Sequence, residues 1–232
     1  MRKLYSLLTI ITCLSLLGCE EVIPLDLKSG TPKLVVEAAL TWKKGTNGNI
    51  QKIKLSTTTD YYSDSPNYVK GATVFVQNSA NQSFTFVEVP NTGEYKCSNF
   101  IPVIGDTYRL SIRYNGNTYT AQEVLQPVAT IMKVEQNNNG GFGGKNIELK
   151  AHYIDPSDVK NYYLYRYTYS SQVISNFYTD EDVFYNGNEF FSISQNDKIK
   201  SDDKVEINHY GISRAYFNYM SVLVSIAGNG GG

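Results

Sequence analysis

Histidine and cysteine are nearly absent from this sequence, with two of the first and three of the second. Most metal-centred chemistry and most proton relays draw on those side chains, so both are largely excluded and neither a metal nor another cofactor is expected. An excess of charge is missing too. Lys and Arg number 21 against 22 Asp and Glu, a net of −1, which removes the basic footprint that neutralises phosphates and excludes a nucleic-acid partner. No apolar run reaches the roughly 20 residues that cross a bilayer: Leu4 to Leu17 is too short, and Val222 to Ala227 shorter still. Aromatic residues are plentiful, with 19 Tyr and 10 Phe, and 41% of the 232 residues are hydrophobic. That is too much apolar material for a disordered chain and enough for one large domain or two small ones.

The N-terminus has the layout of an export signal over residues 1–18: Arg2 and Lys3, the apolar run, then Gly18 before Cys19. Leu16-Leu17-Gly18-Cys19 resembles a lipoprotein cleavage box, which makes Cys19 the lipidation site; the competing reading is an ordinary secretory signal with an incidental Cys. Cleavage before Cys19 leaves 232 − 18 = 214 residues, and the loss of Arg2 and Lys3 takes the net charge from −1 to −3. Several acyl chains on one Cys give a lasting anchor, at about 0.8 kcal/mol per buried CH₂. With Cys13 removed and Cys19 lipidated, Cys97 is alone, no internal disulfide is available, and a buried strand position is expected for it. Residues 19–32 form a tether. Its Glu20 and Glu21 resemble the surface-export signal of Bacteroidota lipoproteins, against the plainer reading of a solvated linker.

Beyond the tether the chain alternates short β-type runs with turns. Lys52-Ile53-Lys54-Leu55 and Thr107 to Tyr114 change polarity at every residue, as strands with one buried face do. Asn115-Gly116 between two such runs signals a type I′ hairpin. About seven strands fit within 33–126, the size of one immunoglobulin-like β-sandwich. Pro127 marks the hinge to a second β-rich unit over 127–232, in which the tract Gln136 to Gly144 reads as a hairpin tip or linker; it lacks the Lys and Ser/Thr of a phosphate loop. Tyr162 to Tyr169 places Tyr on both strand faces, one buried and the other covered by a loop or partner. Ser213 is a candidate cap for a helix over 214–227, with Tyr216, Met220, Leu223 and Ala227 on one face. The fold class is therefore mainly β: two tandem antiparallel sandwich units, the second with a C-terminal helix.

Cys19-Glu20-Glu21-Val22-Ile23, Pro32 to Glu37, Gly71-Ala72-Thr73-Val74, Gly93-Glu94-Tyr95, Gly105 to Leu110, and Asp155 with Asn161-Tyr162-Tyr163 together resemble the Bacteroidota lipoproteins known as domain of unknown function 4249. The resemblance implies an outer-membrane protein, anchored by its lipid and facing the cell surface, that acts as partner of a TonB-dependent nutrient transporter; it implies no catalytic residues. The family usually continues into a further loop and a closing strand, which implies that this chain is truncated at Gly232.

Gly211-Ile212-Ser213-Arg214-Ala215 approaches a nucleophile elbow, but both His152 and His209 precede the serine, whereas the partner His of that fold follows it. A helix cap is the preferred role, and Asp is expected to cap there as well as Ser. The carboxylates at Asp155 with Asp158, Asp180-Glu181-Asp182 and Asp202-Asp203 lack the spacing of a Ca²⁺ loop and are expected to be solvated. Tyr61, Tyr62, Tyr162, Tyr178 and Tyr185 are the candidate interaction residues, offering rigid amphipathic area to a protein or a sugar ring. The expectation is a non-enzymatic accessory module; the alternative is a glycan-binding lipoprotein using exposed tyrosines, with a hydrolase a distant third.

Overall fold

The computed structural model describes residues 30–60, 63, 65–141, 143–196 and 198–229; Cys19, Glu20, Glu21, Tyr61 and Tyr62 lie outside them. Strand β2 (Gln51–Thr57) shows why the first unit folds as it does: Ile53 and Leu55 are buried while Lys52 is exposed, so one face enters a core and the other meets water. The same alternation recurs in β4 (Thr73–Gln77), β5 (Ser83–Glu88), β6 (Glu94–Cys97) and β7 (Thr107–Tyr114). With β1 (Leu34–Ala38) and β8 (Asn117–Val124) they pair in the order β1-β2-β6-β5-β4-β7-β8. One strand more than the expected seven is present, because the two-residue β3 (Asn67–Tyr68) pairs with the end of β2.

The sheet folds over on itself at β5. Its first part, Ser83 to Phe86, pairs with β4, and its last two residues, Val87 and Glu88, pair with β6. The halves on either side of that strand enclose one core of Ile53, Leu55, Val74, Val76, Phe84, Phe86, Tyr95, Phe100, Tyr108 and Ile112. Phe100 packs on Phe84 and Tyr108 with ring centroids 4.8 and 5.0 Å apart; each such buried side chain contributes about 1.5–3 kcal/mol. Cys97 is a free, buried thiol in β6. Between β7 and β8, Asn115 and Gly116 both have positive φ, 48° and 74°, as a type I′ turn requires. β1 and β8 are the two edges of the sheet, and β8 is exposed along almost all of its length.

The second unit holds two three-stranded antiparallel sheets. One is ordered β13-β10-β9, from β9 (Lys133–Gly140), β10 (Asn146–Ile154) and β13 (Glu189–Asn196); the other is ordered β12-β11-β14, from β11 (Tyr162–Tyr169), β12 (Asn176–Glu181) and β14 (Val205–Gly211). Half of the Asn/Gly tract is thus strand, not linker: Gln136, Asn137 and Gly140 pair with β10, and only the segment after Gly140 turns. An edge strand is held by main-chain hydrogen bonds, so its side chains can all be polar.

The core between these sheets is built largely from tyrosine. Tyr163, Tyr165, Tyr167 and Tyr169 all point inward from β11 and meet Leu149 and Tyr153 of β10 and Tyr185. Buried hydroxyls need partners, and these have them: Tyr153 and Tyr165 at 2.6 Å, Tyr167 and Ser192 at 2.5 Å, Tyr169 with Ser194, and Tyr163 donating to Asp155.

Helix α1 (Arg214–Asn229) follows β14. Phe217, Met220, Ser221 and Val224 are its part-buried positions, a face rotated by about one residue, roughly 100°, from that expected at Tyr216, Met220, Leu223 and Ala227. Phe217 sits on Tyr162, centroids 5.2 Å apart, and Ser221 bonds Thr179 at 3.0 Å. The helix therefore covers one end of the second face of β11. No helix among the described residues is long and apolar enough to cross a membrane.

Candidate functional site

A groove of about 500 Å³ lies where the two units meet. The first unit supplies its floor, where Ile53, Val76, Tyr108 and Leu110, the top of that unit's core, lie beneath the ends of the edge strands, Ala38 to Thr41 at and after the end of β1 and Ala121 to Gln126 along and after β8. The second unit supplies the roof. Alternation along β11 sends its odd-numbered tyrosines into the core and turns Leu164 and Arg166 outward. Phe177 of β12 lies opposite Arg166, and Tyr210 of β14 lies opposite Leu164. Since α1 covers only the Tyr162–Thr179 end of this face, Leu164, Arg166, Phe177 and Tyr210 are left to wall the groove.

Two contacts hold the walls together. The Ser213 hydroxyl donates to Glu123 Oε2 on β8 at 2.6 Å and accepts the Tyr216 N–H at 3.2 Å. It is thus the N-cap of α1 and one tie between the units. Gly211 lets the interdomain segment pass close by: a Cβ there would stand 1.7 Å from the Pro127 carbonyl oxygen, so any larger residue must displace main chain.

Among the described residues Arg166 is the only cation lining the groove. Its Nε is buried without a hydrogen-bond partner, and it joins no ion pair among the described residues. Glu123, the only acid in the lining among the described residues, is occupied by Ser213 and by the Val124 N–H at 2.9 Å. Burial raises the Tyr210 phenol above its ordinary value, and the nearby Arg166 charge partly offsets that rise.

Neither histidine faces Ser213. His209 alternates into the tyrosine core, stacked on Tyr165 with centroids 4.7 Å apart, and burial pulls its imidazole down to about 3, with the Lys44 charge adding to the effect. His152 lies on the other sheet between Glu189 and Glu135, each 3.1 Å away.

The sequence-predicted tyrosines are not brought together. Tyr185 is a correction: it is 6% exposed and stacked on Phe190 at 3.7 Å, because the turn after β12 folds it under the sheet. Tyr178 is part-buried, its ring edge-on to Tyr167, and Tyr162 is half-covered by Phe217. The exposed tyrosines among the described residues are instead Tyr68, Tyr119, Tyr216 and Tyr219.

Two of the acids expected to be solvated are also buried. Asp155 accepts from Tyr163 and the Gly187 N–H, and Asp182 accepts the Asn161 N–H at 2.7 Å; each is 1% exposed. Burial likewise raises the Asp180 carboxyl above the usual range. These carboxylates hold turns around the second core. Among the described residues no three His, Cys, Asp or Glu are placed to hold a metal.

Fold and groove define a two-unit, mainly β protein with a ligand-sized groove at its junction. The chain belongs to the family described as Domain of unknown function (DUF4249), whose model matches residues 20–231. No curated protein matches it.

Proposed function

We propose that the protein is a non-enzymatic accessory module, held on the outer membrane by a lipid on Cys19 and presented at the cell surface through Glu20 and Glu21, which serves a TonB-dependent transporter by binding a ligand in the junction groove. The groove carries this reading: its size suits a small ligand, its walls come from both units, and the cation in its wall, Arg166, joins no ion pair among the described residues. The non-enzymatic part rests on Ser213, whose hydroxyl is engaged in capping and in the bond to Glu123 with no histidine beside it. The transporter partner rests on the family resemblance.

A photo-reactive residue in place of Gln122, an exposed position lining the groove, tests this in intact cells. Illumination should yield an adduct with an outer-membrane barrel protein; a surface-located protein that forms no such adduct overturns the reading. The glycan-binding alternative now rests on Tyr216 and Tyr219, exposed and roughly parallel with centroids 6.0 Å apart. Binding on a glycan array, lost in Tyr219→Ala, would favour it.

A further inference from the structure

Resting on the reading of the groove as a ligand site, we propose that it takes an aliphatic monocarboxylate, the carboxylate paired with Arg166 and the chain lying on the apolar floor. A guanidinium cannot shed its charge, and Arg166 joins no ion pair among the described residues, so in a mostly apolar groove it calls for a counter-charge that these residues do not supply. Its planar fork matches a carboxylate with two parallel hydrogen bonds. One cation balances one negative charge, and Glu123 on the opposing wall disfavours a second, which argues against phosphates and dicarboxylates. Tyr210, paired across the sheet with Leu164, lines the same wall of the groove as Arg166.

The rest of the ligand must match Leu40, Ile53, Val76, Leu110, Leu125 and Leu164, side chains that offer no hydrogen bonds. A sugar lying on these six side chains would lose hydration that they do not replace, whereas methylenes gain about 0.8 kcal/mol each on burial. A volume of about 500 Å³ falls within the usual span of small-ligand sites and accommodates a medium-length chain.

The test uses the mature chain from residue 19 with Nile red as a fluorescent reporter, sodium decanoate as the probe and decanol as its uncharged match. Nile red should bind the wild type and fail to bind Ala121→Trp, in which an indole fills the groove. Decanoate should displace the dye, and Arg166→Met should weaken decanoate about tenfold, equivalent to about 1.4 kcal/mol, while leaving decanol unchanged; retained decanol binding also reports an intact groove. Dye binding that decanoate does not displace, or that decanoate displaces equally well in Arg166→Met, overturns the carboxylate assignment and leaves the groove as a ligand site. Tighter displacement by a hydrophobic tripeptide than by decanoate overturns the aliphatic assignment. Equal dye binding by wild type and Ala121→Trp overturns the ligand site itself, and this inference with it.

Discussion

Tyr163→Phe removes a single hydroxyl from the second core, and it should cost more than the same change at Tyr167. Both side chains are fully buried, so the ring contributes equally before and after, and the difference lies in what each hydroxyl leaves behind. The partner of Tyr167 is the neutral Ser192; losing such a bond costs about 1 kcal/mol, or about 2–4 °C in Tm for a chain of this size. The partner of Tyr163 is Asp155, 1% exposed, whose carboxylate would keep only the main-chain Gly187 N–H, at 3.2 Å, as a donor among the described residues. Hydrogen bonds to charged groups are worth about 1.5–3 kcal/mol, which sets the expected loss at about 3–12 °C. Adding Asp155→Asn to Tyr163→Phe should recover part of it, because the group left stranded is then uncharged. Thermal melts of the wild type, the three single variants and the double variant, followed by circular dichroism, decide the matter. If Tyr163→Phe is no worse than Tyr167→Phe, or if its effect simply adds to that of Asp155→Asn, the reasoning fails.

Alkali should unfold the protein cooperatively: burial pushes Tyr153 and Tyr167 up to about 12 from the ordinary 10, so the folded state holds protons that the unfolded chain has released, and stability, full below pH 10, falls between pH 10 and 12. Absorbance at 295 nm should then rise with loss of near-ultraviolet dichroism; ionisation of all 19 tyrosines in a still-folded protein would contradict this. Ser213→Ala should cost about 1 kcal/mol as a lost cap, and Ser213→Asp should cost more, because its carboxylate would face Glu123, now 2.6 Å from the serine hydroxyl; the reverse order in urea denaturation would discount the tie between units. Cys19→Ala should leave the protein in the soluble fraction of lysed cells, and recovery with salt-washed membranes would count against the lipid anchor.

Much of the β architecture is legible in the sequence because strands with one wet face write their burial in every second residue, as Lys52 to Leu55 does, and because Asn115-Gly116 admits few other turns. The helix face is not legible. Tyr216, Phe217, Tyr219, Met220, Val222, Leu223, Val224 and Ile226 leave almost no polar side, so the choice of Phe217 falls to its contact with Tyr162. Asp155-Pro156 reads as a solvated turn, since only the folded chain brings Tyr163 to it. The groove is the least legible feature, assembled from segments near residues 40, 53, 76, 110, 124, 166 and 211. The one local hint was that alternation in β11 sets Arg166 apart from its inward tyrosine neighbours.

The tyrosines of β11 recur at every second position, so sliding that strand by two residues would put tyrosine where tyrosine had been and leave the burial of apolar surface almost unchanged. Hydrophobicity alone cannot tell the two alignments apart. The hydroxyls can, because each meets a different group: Asp155 for Tyr163, Tyr153 for Tyr165, Ser192 for Tyr167 and Ser194 for Tyr169. A slipped strand offers its hydroxyls to the wrong acceptors and strands a carboxylate in the interior. Four phenylalanines in the same places would bury as much carbon and lose the means of choosing, so the polar atoms at the centre of this core work as the teeth of a key.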